Sequence, residues 1–349
     1  MNNLLKSFGP TMTAVILLLA GTWIIGMIVG PQLIMVEQSL WHNAKASDAV
    51  GVSVRIDKLY NEVDLLGFSK ADAEAMQASP ERDRKIAGIA ASIAEKKALI
   101  SKLEAHEVKS TRAYSLRNYA MMTGNHIAIF FKTIAASVAV TLIAFLVCYP
   151  IAYTVAKLAT PGKAALIMLG LIVPYSINEL LRIFAWLMIL NYNGVVNYLL
   201  GLIGFDPVPF LESGAGVFIA MVYAYILFMV FPIYNAVETL DMAQIEAARD
   251  LGAPVWQIHR RVVLPHAKPG IAVGCIMTFM LSAGSYAVPY IMTRGTAAPW
   301  FTQLIYNKFF ESDDWNVGSA YAFTLLVACI MFIFMMMRLF KVGIKDIAK

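Results

Sequence analysis

The sequence is short of charge, cysteine and histidine, and each shortage closes off a class of function. Only 15% of residues are charged while 59% are hydrophobic, whereas soluble domains run near half apolar and about a quarter charged. That balance argues against a soluble enzyme and for a membrane protein. The three cysteines, Cys148, Cys275 and Cys329, lie far apart inside apolar runs. Without a CxxC or Cys/His cluster, neither a disulfide framework nor a zinc site is indicated. The five histidines are scattered over His42, His106, His126, His259 and His266, which speaks against a His-based catalyst or metal site. No HExxH, GxSxG or DxDxDG pattern occurs. The stretch "ATPGKAA" (159–165) lacks the first Gly and the Ser/Thr of a phosphate loop, so the chain supplies no nucleotide site of its own. The net charge of +5 needs no nucleic-acid partner, because basic residues at cytoplasmic membrane edges account for it.

What is present is long apolar runs. A bilayer core of about 30 Å takes roughly 20 apolar helical residues. Six segments meet that length: Thr11–Met35, Ile129–Val155, Ala164–Leu190, Gly214–Ala236, Ile271–Met292 and Ser319–Leu339. The first is too long for a signal-peptide core and lacks a clean small-x-small cleavage site, so it reads as a retained anchor. Lys6, Lys157, Lys163, Arg249, Arg260, Arg261, Lys268, Arg338, Lys341, Lys345 and Lys349 fall on one set of short loops and termini. The other set carries only Arg294 and Lys308. The positive-inside rule then places both termini in the cytoplasm. The expected fold is an all-α membrane protein of six transmembrane helices, N-in and C-in, with a helical extracytoplasmic insertion after the first span. Its parts are 1–36 (amino terminus and first span), 37–128 (insertion) and 129–349 (a five-helix core with a cytoplasmic loop at 237–268).

In the insertion, Ser79 reads as an N-cap with Pro80 at the first helical position. Ile86, Ile89, Ile93, Ile100 and Leu103 follow at helical spacing, interrupted by Lys96. The preceding "DKLYNEVDLLGFSKADAEAMQA" can supply an antiparallel partner, giving a helical hairpin that either packs on itself or binds a partner.

The loop "QIEAARDLGAPVWQIHRRVVLPHAKPG" (244–270) is the most informative stretch. Asp241 with Gln244 forms a capping pair for a helix starting at Met242. Ala247, Ala248 and Leu251 lie on one side, and Gly252 is placed to end the helix in a left-handed turn. Pro254 restarts a second short helix at its first position, Val255, Ile258 and Val262 recur at its apolar spacing, and Pro265 stops it. Arg249, Gln257, Arg260 and Arg261 make the polar face. A capped, bent pair between two spans is either an ordinary amphipathic interfacial loop or a knob for a partner's groove.

Glu246, Ala247, Ala248, Gly252, Val262, Leu264 and Pro265 fit the pattern E-A-A-x3-G-x9-[IV]-x-L-P in register. This resembles the signature cytoplasmic loop of permease subunits of bacterial ABC importers, where Ile is usual at the place of Val262. The remainder from about 129 onward is similar to the spermidine/putrescine permease branch, through "YPIAY" (149–153), "LLRIFAWLMIL" (180–190), "NGVVNYLLGLIG" (193–204), "FPIYNAVETLD" (231–241) and "PGIAVGC" (269–275). Related branches import iron, sulfate, molybdate, thiamine or opines. The resemblance does not cover 37–128. It implies a multi-pass protein of the bacterial inner membrane that carries no cofactor itself. It also implies an ATPase dimer that binds ATP and Mg, a second permease subunit, an extracytoplasmic solute-binding protein and surrounding lipid.

Candidates for the solute path are Glu179, Arg182, Trp186 and Tyr286. Glu179 and Arg182 are three residues apart and can neutralise each other, or border the path. Polar groups inside a span usually face a cavity or a partner. Trp186, Tyr286, Tyr175 and Tyr290 can offer faces to a cation or serve as interfacial packing. Pro174, Pro289 and the small residues of "LSAGSYAVP" (281–289) mark helix interruptions of the kind that line cavities, or close helix contacts. Asp206, Glu212, Glu311, Asp313 and Asp314 give the outer loops a surplus of acid that can attract a cation, pair with a receptor or stay solvated. Competing readings are an ATP-independent secondary transporter, which calls for coupled intramembrane carboxylates or inverted repeats, and a membrane sensor, which leaves the 244–270 loop without a role.

Overall fold

The computed structural model describes residues 2–44, 80–105, 111–293 and 300–343, with part of 55–70. The chain separates into two compact units, Met1–Ser39 with Asn118–Lys349, and Leu40–Arg117.

In chain order the elements are α1 (Gly9–Leu40), β1 (Trp41–Ala44), α2 (Pro80–Ala105), β2 (Thr111–Tyr114), α3 (Gly124–Leu158), α4 (Pro161–Ser176), α5 (Glu179–Ile189), α6 (Val195–Leu202), α7 (Ala215–Glu238), α8 (Met242–Asp250), α9 (Val255–Ala283), α10 (Ala287–Met292), α11 (Phe301–Tyr306) and α12 (Trp315–Phe340). Five helices, α1, α3, α7, α9 and α12, are long and apolar enough to cross a membrane, and α4 with α5 makes a sixth candidate if the bent pair is one span.

The helical expectation holds apart from one antiparallel ribbon, in which Trp41 faces Tyr114 and Ala44 faces Thr111. The Arg112 guanidinium lies 4.6 Å from the Trp41 ring centre, a cross-strand contact that favours this pairing. Within the same unit, Ile56, Leu59 and Val63 are buried against Ile100, with Ile93 and Leu103 alongside. Lys96, which breaks the apolar spacing, forms an ion pair with Glu62. Ser79 lies outside the described residues, and Pro80 opens α2.

In the other unit, α7 and α9 form the centre, with α3 packed on both and α12 on α9. Met229, Val230, Ile233, Val237, Val263, Ala267 and Ile271 make one buried cluster. Only 6% of the apolar window of α1 is buried.

The interruption expected at Pro174 is present, whereas two other expected boundaries are wrong. The third span is a bent pair, in which α4 and α5 meet at 100°. Pro174 sits in a 3-10 turn at Val173–Ser176, and Asn178 starts α5 afresh by accepting the Leu180 N–H at 2.9 Å. The fifth span breaks at Gly284–Ser285 and not at Pro289, which is inside α10. Pro265 does not stop a helix either. A π-turn over His259–Val263 precedes it, and Pro265 falls in the first turn of the α-helix that follows. There its missing N–H disrupts little, so α9 runs unbroken from the loop into the membrane-length segment.

Candidate functional site

The loop between α7 and α9 folds as an elbow. Asp241 caps α8 by accepting the Ala243 N–H at 3.0 Å. The cap is taken one residue earlier than a reciprocal box with Gln244 requires. At the other end, the Gly252 N–H donates to the Arg249 carbonyl at 2.9 Å and the Ala253 N–H to the Ala248 carbonyl at 3.1 Å. These two bonds form a Schellman closure. It requires the left-handed conformation that Gly252 adopts, at φ 77°. Pro254 is the residue before the next helix and not its first.

The inward face differs from the expected one. Ile245, Ile258 and Val263 are buried, with Met242, Ala248, Val262 and Leu264 packed against the same cluster. Ile245 was missed, although Met242, Ile245 and Ala248 recur at three-residue steps. Val255 does not join Ile258 in the core. Leu251, Val255 and Trp256 are 88%, 71% and 68% exposed, which leaves an apolar knee at the bend. Glu246 and Ala247 are exposed on α8, Gly252 is exposed between the helices, and Pro265 is exposed on α9. The seven motif residues therefore do not form one patch: Ala248, Val262 and Leu264 face the core side, while Glu246, Ala247, Gly252 and Pro265 do not.

The candidate path residues divide into two aromatic groups. Glu179 is exposed in the first turn of α5, and it does not form the i,i+3 ion pair with Arg182. The Arg182 guanidinium instead lies 4.3 Å over the Tyr175 ring. Cation–π attraction to that ring substitutes for the carboxylate. Its Nε and Nη1 are enclosed without hydrogen-bond partners. Tyr175 is held by its hydroxyl, which donates to the carbonyls of Tyr223 at 2.6 Å and Ala224 at 3.0 Å on α7. Trp186 meets Tyr223 edge-on at 5.1 Å. The 100° bend thus brings residues on both of its sides, Tyr175 and Arg182 with Trp186, around Tyr223. Tyr223 itself was not singled out, since α7 also carries Phe218, Tyr225, Phe228, Phe231 and Tyr234, and spacing does not mark one of six aromatics.

Tyr286 belongs to the second group. Its ring stacks on Tyr290 at 5.2 Å and on Tyr306 at 4.6 Å, and Tyr306 continues to Phe310 at 4.8 Å. The two groups are linked through α10, which packs on α5. Among the described residues, no three His, Cys, Asp or Glu side chains stand together as a metal site.

Comparisons with known proteins bear on this arrangement. Residues 164–341 match the family described as "Binding-protein-dependent transport system inner membrane component". The spermidine/putrescine transport system permease protein PotB of Haemophilus influenzae is 33% identical over 198 residues, covering 56% of this chain and 68% of that protein. PotB of Escherichia coli K12 is 33% identical over 220 residues, covering 61% and 78%. A solved bacterial alginate ABC transporter, in complex with an alginate pentasaccharide-bound periplasmic protein, aligns with a TM-score of 0.54 at 18% identity, over 66% of this chain and 85% of that one. At that identity the likeness is one of fold. The chain belongs to the binding-protein-dependent transport system inner membrane components: it is a multi-pass inner-membrane permease subunit of an ABC importer, and not itself the ATPase.

Proposed function

We propose that this permease moves a polyamine such as spermidine or putrescine inward by alternating access, driven through the elbow at 241–265 by a separate ATPase dimer that binds ATP and Mg. The observation that carries the reading is the elbow: two short helices hinged at a left-handed Gly252, with Leu251, Val255 and Trp256 exposed at the bend. A solvent-facing apolar knee flanked by Arg249 and Arg260 suits insertion into a groove of a partner. Ala248, Val262 and Leu264 pack the elbow against the ends of α7 and α9, and Glu246, Ala247 and Pro265 are exposed beside the knee, where they can meet the ATPase.

The substrate class draws on the PotB likeness and on the aromatic groups around Tyr223 and Tyr286, since aromatic faces attract amines. In this reading Glu179 attracts the cation and Arg182 competes with it. Trp186 and Tyr286 stack along its route. A second permease subunit completes the path, and a solute-binding protein delivers the ligand on the outer face. Six spans with both termini inside put 37–128 on that outer face.

The test is to purify the tagged chain from native membranes in mild detergent and identify what accompanies it. Uptake of radiolabelled spermidine into vesicles is then measured with and without internal ATP. An ATPase and a second permease should co-purify, and spermidine should accumulate only with ATP. A complex that holds the ATPase but ignores spermidine and putrescine keeps the coupling reading and rejects the polyamine one. A chain that purifies alone rejects both.

The ribbon allows a separate check of sidedness. Because Ala44 and Thr111 are paired, residues 45–110 can be replaced by Asn-Gly, which closes a two-residue hairpin. The ATPase should remain bound in its normal ratio to the shortened chain. Its loss would put the excised segment on the ATPase side and overturn the topology.

A further inference from the structure

One short segment, the cytoplasmic-side end of α3, grips both ends of the elbow. At the entrance, Lys157 Nζ donates to the carbonyl of Glu238 at 3.1 Å and of Leu240 at 2.5 Å. These carbonyls terminate α7 and lead into Asp241, where a lysine can cap the open helix end. At the exit, the Tyr149 hydroxyl and His259 Nδ1 share a 2.7 Å hydrogen bond. The Tyr153 ring meets the His259 ring edge-on at 4.5 Å. A third contact closes the base, with Thr239 Oγ1 and His266 Nε2 3.0 Å apart. These polar contacts converge on the points where the elbow joins its helices.

Thr154–Leu158 and His259–Val263 are both π-turns, as are Ile24–Val29 and Asn307–Glu311 elsewhere in the chain; helices often accommodate functional bends in this form. Beyond Thr154–Leu158 the chain enters α4 through Thr160 and Pro161. It then reaches the 100° bend that carries Tyr175 and Arg182.

We propose that Tyr149, Lys157 and His259 form a transmission latch: a displacement of the elbow is passed sideways to the end of α3, and from there to α4 and the bend, as well as directly along α7 and α9. The latch residues position the moving parts and touch neither nucleotide nor solute. The inference rests on the coupling role proposed for the elbow.

The experiment compares hydrogen exchange in the purified complex with and without ATP plus vanadate, for peptides in the elbow (241–258) and at the α3–α4 junction (154–172). In the wild type, exchange should change in both. Tyr149→Phe keeps the ring, including its contact with Phe145, and removes only the hydroxyl. It should preserve the elbow change and reduce the junction change by ~5- to 10-fold, the effect of one net hydrogen bond. ATPase content and ATP hydrolysis without added solute should stay at wild-type level. His259→Gln, which also removes the Tyr153 ring contact, should lose at least as much, and the double variant should be no worse than His259→Gln alone, as two ends of one hydrogen bond require.

An unchanged junction response in Tyr149→Phe overturns the latch, as do additive losses in the double variant or loss of the ATPase from the complex. A wild-type elbow that does not respond to ATP at all overturns the coupling reading, and the latch with it.

Discussion

Gly252→Val should abolish ATP-driven uptake while the protein remains in the membrane at its normal level. The two halves of this result have different causes. A Cβ at Gly252 meets nothing within 4 Å, so a larger side chain creates no clash and core packing is untouched. The backbone, however, stands at φ 77°, which disfavours an L-residue by about 1–2 kcal/mol and a β-branched one more. Relief of that strain turns the residue out of the left-handed region. Both bonds of the Schellman closure, Gly252 to Arg249 and Ala253 to Ala248, then open. Val255 and Trp256 swing away from Leu251, and the knee loses its shape. A series separates torsion from bulk: Asn, which tolerates this conformation, should retain most uptake, Ala should lose part of it, and Val nearly all. Uptake and membrane abundance, measured together for the three variants, decide the matter. Equal uptake in all three would mean that the bend angle is irrelevant to coupling.

The elbow was legible in the sequence because its determinants are local. An Asp cap, a Gly in the left-handed position and a Pro at a helix start act within a few residues of themselves. What failed there also has a local cause: Pro265 reads as a stop only if the helix before it is α, and a π-turn carries no compositional mark. The long spans were legible as apolar length, and Pro174 marked the place where α4 and α5 divide, though not the angle. Hydropathy is blind to direction, and Asn178, whose side chain restarts the helix, stands among other polar residues, Ser176, Glu179 and Arg182, none of which marks the turn by itself. The candidate path was the least legible part. Spacing says that Glu179 and Arg182 can meet, but the choice of Tyr175 as the partner of Arg182 depends on where the bend puts that ring, and on Tyr223 and Ala224 of a different helix to hold it. Such choices are tertiary, and no spacing rule contains them.

Gly270→Leu should act in the opposite way to Gly252→Val, by removing the protein itself. A Cβ at Gly270 falls 2.2 Å from the Pro232 carbonyl oxygen and 2.6 Å from the Ala236 Cβ. The first neighbour is backbone, so no rotamer change relieves the contact, and α7 and α9 must move apart. They are the central pair of the unit and carry Ile233, Val237, Ala267 and Ile271 in one buried cluster. In a bilayer, helix association depends on close van der Waals packing between small residues, because lipid tails are as apolar as the side chains they replace. Separating this pair should therefore cost about 3 kcal/mol or more, at the upper end of overpacked sites. Gly274, one turn on, provides the contrast. Its Cβ would stand 2.9 Å from the Met229 sulfur, and 3.2 and 3.3 Å from the Met229 carbonyl oxygen and Cα; the methionine side chain can shift, and the backbone need give far less than at Gly270. Gly274→Ala should consequently be mild, while Gly270→Ala is already harmful and Gly270→Leu leaves little folded protein. Heating detergent-solubilised variants and measuring the fraction that stays monodisperse tests the order, wild type above Gly274→Ala, then Gly270→Ala, then Gly270→Leu. If Gly270→Ala proved as stable as the wild type, α7 and α9 would not approach to backbone contact, and the elbow would lose the rigid pair of helices from which it projects.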